Sequence, residues 1–279
     1  MSANESESPG GFVIHFGDGQ LVDLTEQDDY AFPHPLQRWV LPVLPMHQEP
    51  VASGSAFLVA PGIAITARHV VEDSTTTDDP SLIAVFVSGE SIQGYEGPWG
   101  GPLAVRQVIL NTEHDLAIVT LEWGEIDGAP FRCAAAPLTT RVPEVGETVF
   151  SVGYTNVSAE LSDTTIELAQ KVVATRGVIV ETFPDGRDFL INYPVIMGGF
   201  PAPGGLSGGP VVDERGNVFA VVSRSMEPFE EVTEWTSYAS LIGPVLDMPF
   251  SVNLDGVLGE HTLRALALAG VVAHDGSLV

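Results

Sequence analysis

Strand-length apolar runs recur along most of this 279-residue chain, each closed by a turn signal, and that rhythm leaves little room for long helices. The first series covers 56–60, 63–69, 82–88, 103–110 and 115–121. The second covers 148–153, 164–180, 188–194, 209–213 and 217–224. Within the long run from Thr164 to Val180, a turn is expected near Arg176 and Gly177. The 29 glycines and 21 prolines suit many short strands and tight turns. The loop-rich stretch 122–146 separates the two series, so each series predicts its own barrel.

Composition narrows the function classes. A hydrophobic content of 44% is that of a globular chain, and the length suffices for one large or two small domains. No apolar run reaches the roughly 18 residues that span a bilayer. The start, Met1 to Pro9, has neither the basic region nor the apolar stretch of a secretory signal. Cys133 is the sole cysteine, which excludes an internal disulfide and favours a cytoplasmic location. It lacks a glycine-rich turn, so a buried structural thiol is expected rather than a nucleophile. Asp and Glu number 37 against 11 Lys and Arg, a formal charge of −26, and Lys171 is the one lysine. Such a surface argues against nucleic acid and anionic membranes as partners. It could steer a basic substrate segment or mark salt adaptation, although solubility and composition bias explain it as simply. The seven histidines show no paired metal-ligand spacing, and neither a metal nor an organic cofactor is implied.

Gly205-Leu206-Ser207-Gly208-Gly209-Pro210 sets a serine between glycines, just ahead of an apolar strand. Glycine there permits turns that other residues resist and lets main-chain N–H groups approach a substrate carbonyl. Alone, the stretch reads equally well as a surface loop with an incidental serine. A serine nucleophile also needs a base and a group to orient that base. His69 closes the run Ile63-Ala64-Ile65-Thr66-Ala67-Arg68-His69, and Asp115 opens the run Asp115-Leu116-Ala117-Ile118-Val119. Individually, His69 could be a satisfied core histidine and Asp115 an ordinary strand-start carboxylate. Neighbouring His114 reads as solvated. The chain order His69, Asp115, Ser207 gives the joint placement its weight.

These three blocks resemble those of the chymotrypsin-like (trypsin-like) serine peptidases, over roughly residues 50–225. The resemblance implies an all-β fold of two six-stranded antiparallel β-barrels, with the active site between them and a short C-terminal helix. Ser207 would attack the scissile carbonyl, His69 would act as general base and then acid, and Asp115 would orient His69. The N–H groups of Gly205 and Ser207 would form the oxyanion hole. The implied organisation is an acidic, partly disordered arm over 1–48, a first barrel over 49–140, a second over 141–250 and a C-terminal helix and tail over 251–279. Residues 1 to about 11 are expected to be disordered, and Phe32-Pro33-His34-Pro35 to be an extended arm. The helix is expected within Gly259–Gly270. The stretch beyond position 225 is too short for the PDZ domains of HtrA-type relatives, so a bacterial-type member without a PDZ domain is expected.

Two departures bear on mechanism. Leu206 stands where animal digestive members carry an aspartate that pairs with a freed N-terminus, which implies a site formed without that ion pair. Arg68 precedes His69 where a small residue is common; it is expected to face solvent, with contact at the active-site rim as the alternative. For the specificity pocket, counting by resemblance puts Pro201 at the floor and Ser223, Arg224 and Ser225 along the wall. A small or apolar substrate residue is expected there. Arg224 would favour an acidic or polar neighbour, unless it is simply solvated. The expected function is a serine endopeptidase acting on a protein or peptide substrate, with narrow targets or under restraint. A regulatory protein partner, a ligand or a blocked site could supply that restraint, and the sequence names none. The alternative is a non-catalytic binding module that keeps the peptidase fold.

Overall fold

A computed structural model describes residues 5–8, 12–16, 19–26, 38–45, 54–74, 82–88, 99–126, 129–130, 133–161, 166–229, 234–254 and 257–278. The chain opens with β1 (Glu5–Ser8) and β2 (Phe12–His15), an antiparallel pair, followed by β3 (Leu21–Asp23). The first barrel comprises β4 (Val40–Pro45), β5 (Gly54–Ala60), β6 (Ile63–Thr66), β7 (Leu82–Ser88), β8 (Trp99–Leu110) and β9 (Ala117–Leu121). These strands close in the order β4-β5-β6-β9-β8-β7. A one-turn helix, α1 (Arg68–Val71), follows β6. The β10 (Glu125–Ile126) and β11 (Ala129–Pro130) hairpin and an extended linker lead to the second barrel.

The second barrel comprises β12 (Thr148–Leu161), β13 (Ile166–Phe183), β14 (Val195–Gly198), β15 (Pro210–Asp213), β16 (Val218–Met226) and β17 (Thr236–Leu241). Its order is β12-β15-β16-β17-β14-β13, and pairing of β12 with β13 closes the ring. The hairpin β18 (Phe250–Leu254) and β19 (Val257–His261) and the helix α2 (Leu263–Leu268) end the chain. The fold is thus the expected one: two six-stranded antiparallel barrels, with only short helices. Among the described residues, no helix is long and apolar enough to cross a membrane.

Several local expectations give way to specific physics. β13 runs unbroken through Arg176 and Gly177. Gly177 serves close approach and not a turn, because a Cβ there would lie 2.6 Å from the Gly199 carbonyl carbon and 2.8 Å from the Phe200 nitrogen. The strand expected over 188–194 is a run of bends that precedes β14. Asp188 accepts from the Leu190 and Ile191 N–H groups at 2.9 and 3.0 Å, and this local cap bends the chain. The expected C-terminal helix is confined to α2, capped by the Thr262 side chain and ended by Gly270 at φ +75. Its first residues, Gly259 to His261, belong to β19 instead.

The N-terminal segment is more ordered than its composition suggested. β1 forms where disorder was expected, whereas residues 1–4, 9–11 and the Phe32-to-Pro35 stretch lie outside the described residues. β4 adds Val40–Pro45 to the first barrel, ahead of the expected boundary at 49. β3 pairs with β13, extending the second barrel. Ile14, Phe16 and Leu24 are buried, Phe16 stacks at 6.1 Å on Phe150 of β12, and the Arg176 guanidinium lies 5.0 Å over the Phe16 ring. Lys171 pairs with Asp23 at 2.8 Å. Scattered apolar residues between acidic runs hid this strap, since each anchor is a single side chain. Leu24→Ala should therefore cost about 2–5 kcal/mol of stability, read by chemical denaturation, despite the position of Leu24 in an acidic arm.

Candidate active site

β6 and β9 are antiparallel neighbours, with Thr66 opposite Ala117. The end of β6 therefore lies beside the start of β9, which brings His69 to Asp115 although 46 residues separate them. His69 does not end a strand; it lies in α1. The first turn of a helix has unpaired N–H donors, and no side chain of α1's own N-cap residue takes them. Asp115 takes one: its Oδ1 accepts from the His69 backbone N–H at 3.0 Å, while Oδ2 lies 2.8 Å from His69 Nδ1. An ionised carboxylate only accepts, so Nδ1 carries the proton and Nε2 is left as the basic nitrogen.

Ser223 reaches the same carboxylate because of a bulge. The register of β16 against β17 slips between Val222 and Arg224, so Ser223 has no partner in the ladder. A bulge re-aims its side chain, and Ser223 Oγ donates to Asp115 Oδ2 at 2.5 Å. Tyr193 OH lies 2.9 Å from Ser223 Oγ. Burial alone would raise the Asp115 carboxyl. The hydrogen bond and charge of His69, with the Ser223 bond, outweigh it and hold the group below the usual carboxylate range.

Ser207 sits on a turn fastened to both barrels. Leu206 N–H donates to Pro203 O, Gly208 N–H to Val222 O and Gly209 N–H to Leu206 O. Across the barrel boundary, Ser55 N–H donates to Ser207 O at 2.7 Å and Ser55 Oγ to Gly205 O at 2.8 Å. Gly205 and Gly208 have φ of +95 and +81, conformations that a side chain resists. At Gly208 a Cβ would also collide with Ser55 O and Thr66 Oγ1 and lie 3.2 Å from Ala67 N, so this turn abuts the segment that leads into α1. Leu206 is fully buried, with its Cδ1 where a Cβ on Gly153 would lie. Apolar packing against β12 thus replaces the ion pair that an aspartate would make. Among the described residues, no hydrogen bond joins Ser207 Oγ to His69 Nε2; contacts of this kind are often loose until substrate binds. The His69 side chain is 38% exposed and reachable.

The expected pocket residues diverge. Pro201 is buried, Ser225 Oγ donates to Ala202 O at 2.6 Å, and Ser223 faces Asp115 and not a substrate. Arg224 alone of the four lines the open cavity of about 550 Å3 beside His69, together with Arg68, Glu72, Glu113, His114, Asn192 and Tyr193 among others. Arg68 is not free in solvent: it pairs with Glu72 at 3.0 Å and donates to Thr112 O. His114 is half-buried, 3.0 Å from Asn111 Oδ1 and edge-on to the Tyr193 ring, and burial lowers its pKa. Burial pushes the Cys133 thiol up to about 11, consistent with an inert structural group. Among the described residues, no cluster of His, Cys, Asp or Glu could hold a metal ion. Sequence reasoning missed Ser55, Asn111 and Tyr193, single polar residues that carry no local signal until the strands are paired.

Gly208→Ala should cost roughly 1–3 kcal/mol of stability, read by chemical denaturation, because it adds both a Cβ collision and a strained φ. A depressed carboxylate contributes stability that is present above its unfolded pKa and lost as pH falls through the folded one. Asp115→Asn should therefore lower the melting temperature at neutral pH and flatten its fall below pH ~4, read by melting from pH 2 to 7.

No curated protein matches this chain. Among solved structures, the chain is similar to Rv3671c from M. tuberculosis H37Rv, a serine-to-alanine mutant in its inactive form. That likeness has 18% identity and a TM-score of 0.47, and covers 74% of this chain and 82% of the other. The family model for the trypsin-like peptidase domain matches residues 54–221, a span that holds β5 to β9, the His69–Asp115 pair and the Ser207 turn. By that match the chain belongs to the trypsin-like peptidase domain family, a family of serine-protease hydrolases.

Proposed function

We propose that the chain is a serine endopeptidase with Ser207 as nucleophile. His69 Nε2 takes the Ser207 Oγ proton as Oγ bonds to the scissile carbonyl carbon. His69 then delivers that proton to the leaving amine nitrogen as the C–N bond breaks, leaving an acyl-enzyme. Water, deprotonated by the same His69, releases the acid and restores Ser207. Asp115 holds the imidazole in the tautomer this needs and offsets the charge of the imidazolium. The observation that carries the reading is the double clasp of Asp115 on His69, beside a turn whose glycines leave Ser207 on a tight bend.

The N–H groups of Gly205 and Ser207 are the oxyanion donors in this reading. Within the turn, Leu206, Gly208 and Gly209 spend their N–H groups on internal acceptors. Among the described residues Gly205 and Ser207 do not, which leaves two donors for developing negative charge. Arg224 and Asn192 in the cavity beside His69 offer polar contacts to substrate side chains. The buried Leu206 supports a site that needs no freed N-terminus, which leaves narrow targets, a partner, a ligand or a blocked site as sources of restraint. The alternative, a binding module that keeps the fold, makes opposite predictions for covalent labelling.

The test is reaction with a fluorophosphonate probe, read by intact mass, alongside cleavage of an unfolded protein substrate. A single adduct is expected on the wild type and on neither Ser207→Ala nor His69→Ala, with cleavage falling on the order of 10^4- to 10^6-fold in each variant. An unlabelled, folded wild type would instead favour the binding module. Removal of residues 1–4 should leave the labelling rate unchanged, because no new N-terminus takes part.

A further inference from the structure

The carboxylate of Asp115 is the end point of a chain of hydroxyl groups, and the chain has only one possible polarity. Ionised Asp115 donates nothing, so the single proton of Ser223 points to Oδ2 at 2.5 Å. With that proton committed, the bond between Tyr193 OH and Ser223 Oγ, 2.9 Å long, has Tyr193 as donor. The direction is Tyr193 to Ser223 to Asp115, meeting His69 Nδ1–H at the same carboxylate oxygen. Burial holds the Tyr193 phenol above its usual pKa, which keeps its proton in place.

The setting makes this chain stiff. Tyr193 is 7% exposed and Ser223 2% exposed, a setting of low polarity that strengthens the bond between the two hydroxyls. The Tyr193 ring packs with Ile191, Val195 and Tyr238. Its edge meets the His114 ring at a centroid distance of 6.4 Å. The bulge at Ser223 leaves that residue without a ladder partner, so the tyrosine hydroxyl supplies the constraint that β-pairing does not. Tyr193 also lines the cavity beside His69 with Asn192 and Arg224.

We propose that Tyr193 is a positioning residue: its hydroxyl fixes the Ser223 proton on Asp115 and so sets the orientation and basicity of His69. The effect of this on rate rests on the peptidase reading; the effect on His69 itself does not. Among the described residues no hydrogen bond joins Tyr193 to His69 or Ser207, so its route to the imidazole runs through Ser223, while its hydroxyl also faces Arg224.

The test is a double-mutant cycle of Tyr193→Phe and Ser223→Ala, in which phenylalanine keeps the ring and its packing. The first readout is the rate of fluorophosphonate labelling together with kcat and KM on a peptide substrate. Tyr193→Phe should lower the labelling rate and kcat about three- to tenfold with KM changed less than about twofold, the size of one hydrogen bond. Added to Ser223→Ala, it should do nothing further. The second readout is the low-field proton resonance of His69 Nδ1–H, which needs folded protein and no activity. It should shift in Tyr193→Phe and not shift again when that change is added to Ser223→Ala. An unlabelled wild type whose resonance shows this pattern would sink the peptidase reading and sustain the Tyr193 chain. An unmoved resonance in Tyr193→Phe, or equal effects of the change with and without Ser223, would overturn the proposal.

Discussion

One buried carboxylate organises the centre of this molecule. Asp115 is nearly sealed from solvent, and an unpaired charge there would be very costly. It is tolerated because three donors converge on it: the backbone and ring of His69 and the hydroxyl of Ser223. Two of them come from a helix of one turn in the first barrel and the third from a bulged strand in the second. The charge therefore recruits both barrels to one point, through a helix whose Val70 and Val71 are themselves buried in the core.

The barrels are joined a second time by the nucleophile turn. Ser55, at the start of β5, donates from its backbone to Ser207 and from its side chain to Gly205, while its hydroxyl accepts from Tyr154 N–H of β12. Gly208 permits the approach because it has no Cβ to meet Ser55 and Thr66. The residues that hold the turn are thus small and polar on one side and apolar on the other, where Leu206 enters the core of the second barrel. On the same face of β12 the N-terminal strap packs Phe16 on Phe150, four residues before Tyr154.

The fold was legible because its signal is repeated. Most barrel strands announce themselves as apolar runs, and the three short motifs fall in an order that few folds share. The elements that escaped detection were either brief or non-local. β4 and β17 are six-residue strands: the former is apolar but crossed by two prolines, which argue against a strand, and the latter is mostly of small and polar residues. Gly177 reads as a turn because a glycine's need for close contact with Gly199 is invisible without the partner strand. Ser223 reads as a pocket wall, whereas the bulge rotates it toward Asp115. Register slips of one residue reverse the facing of a side chain, and no single-chain pattern reports them.

The leucine before Ser207 also decides which external variables can reach the site. An ion-pair anchor weakens as salt screens it and fails when pH discharges either partner. A buried leucine carries no charge, so this anchor of the turn has nothing for salt to screen or a proton to discharge. In a chain of net charge −26, whose surface potential varies strongly with the medium, the nucleophile turn is thus anchored by a contact that does not depend on charge. Within the site, the group whose charge does respond to acid is the depressed carboxylate of Asp115, which lies outside the turn.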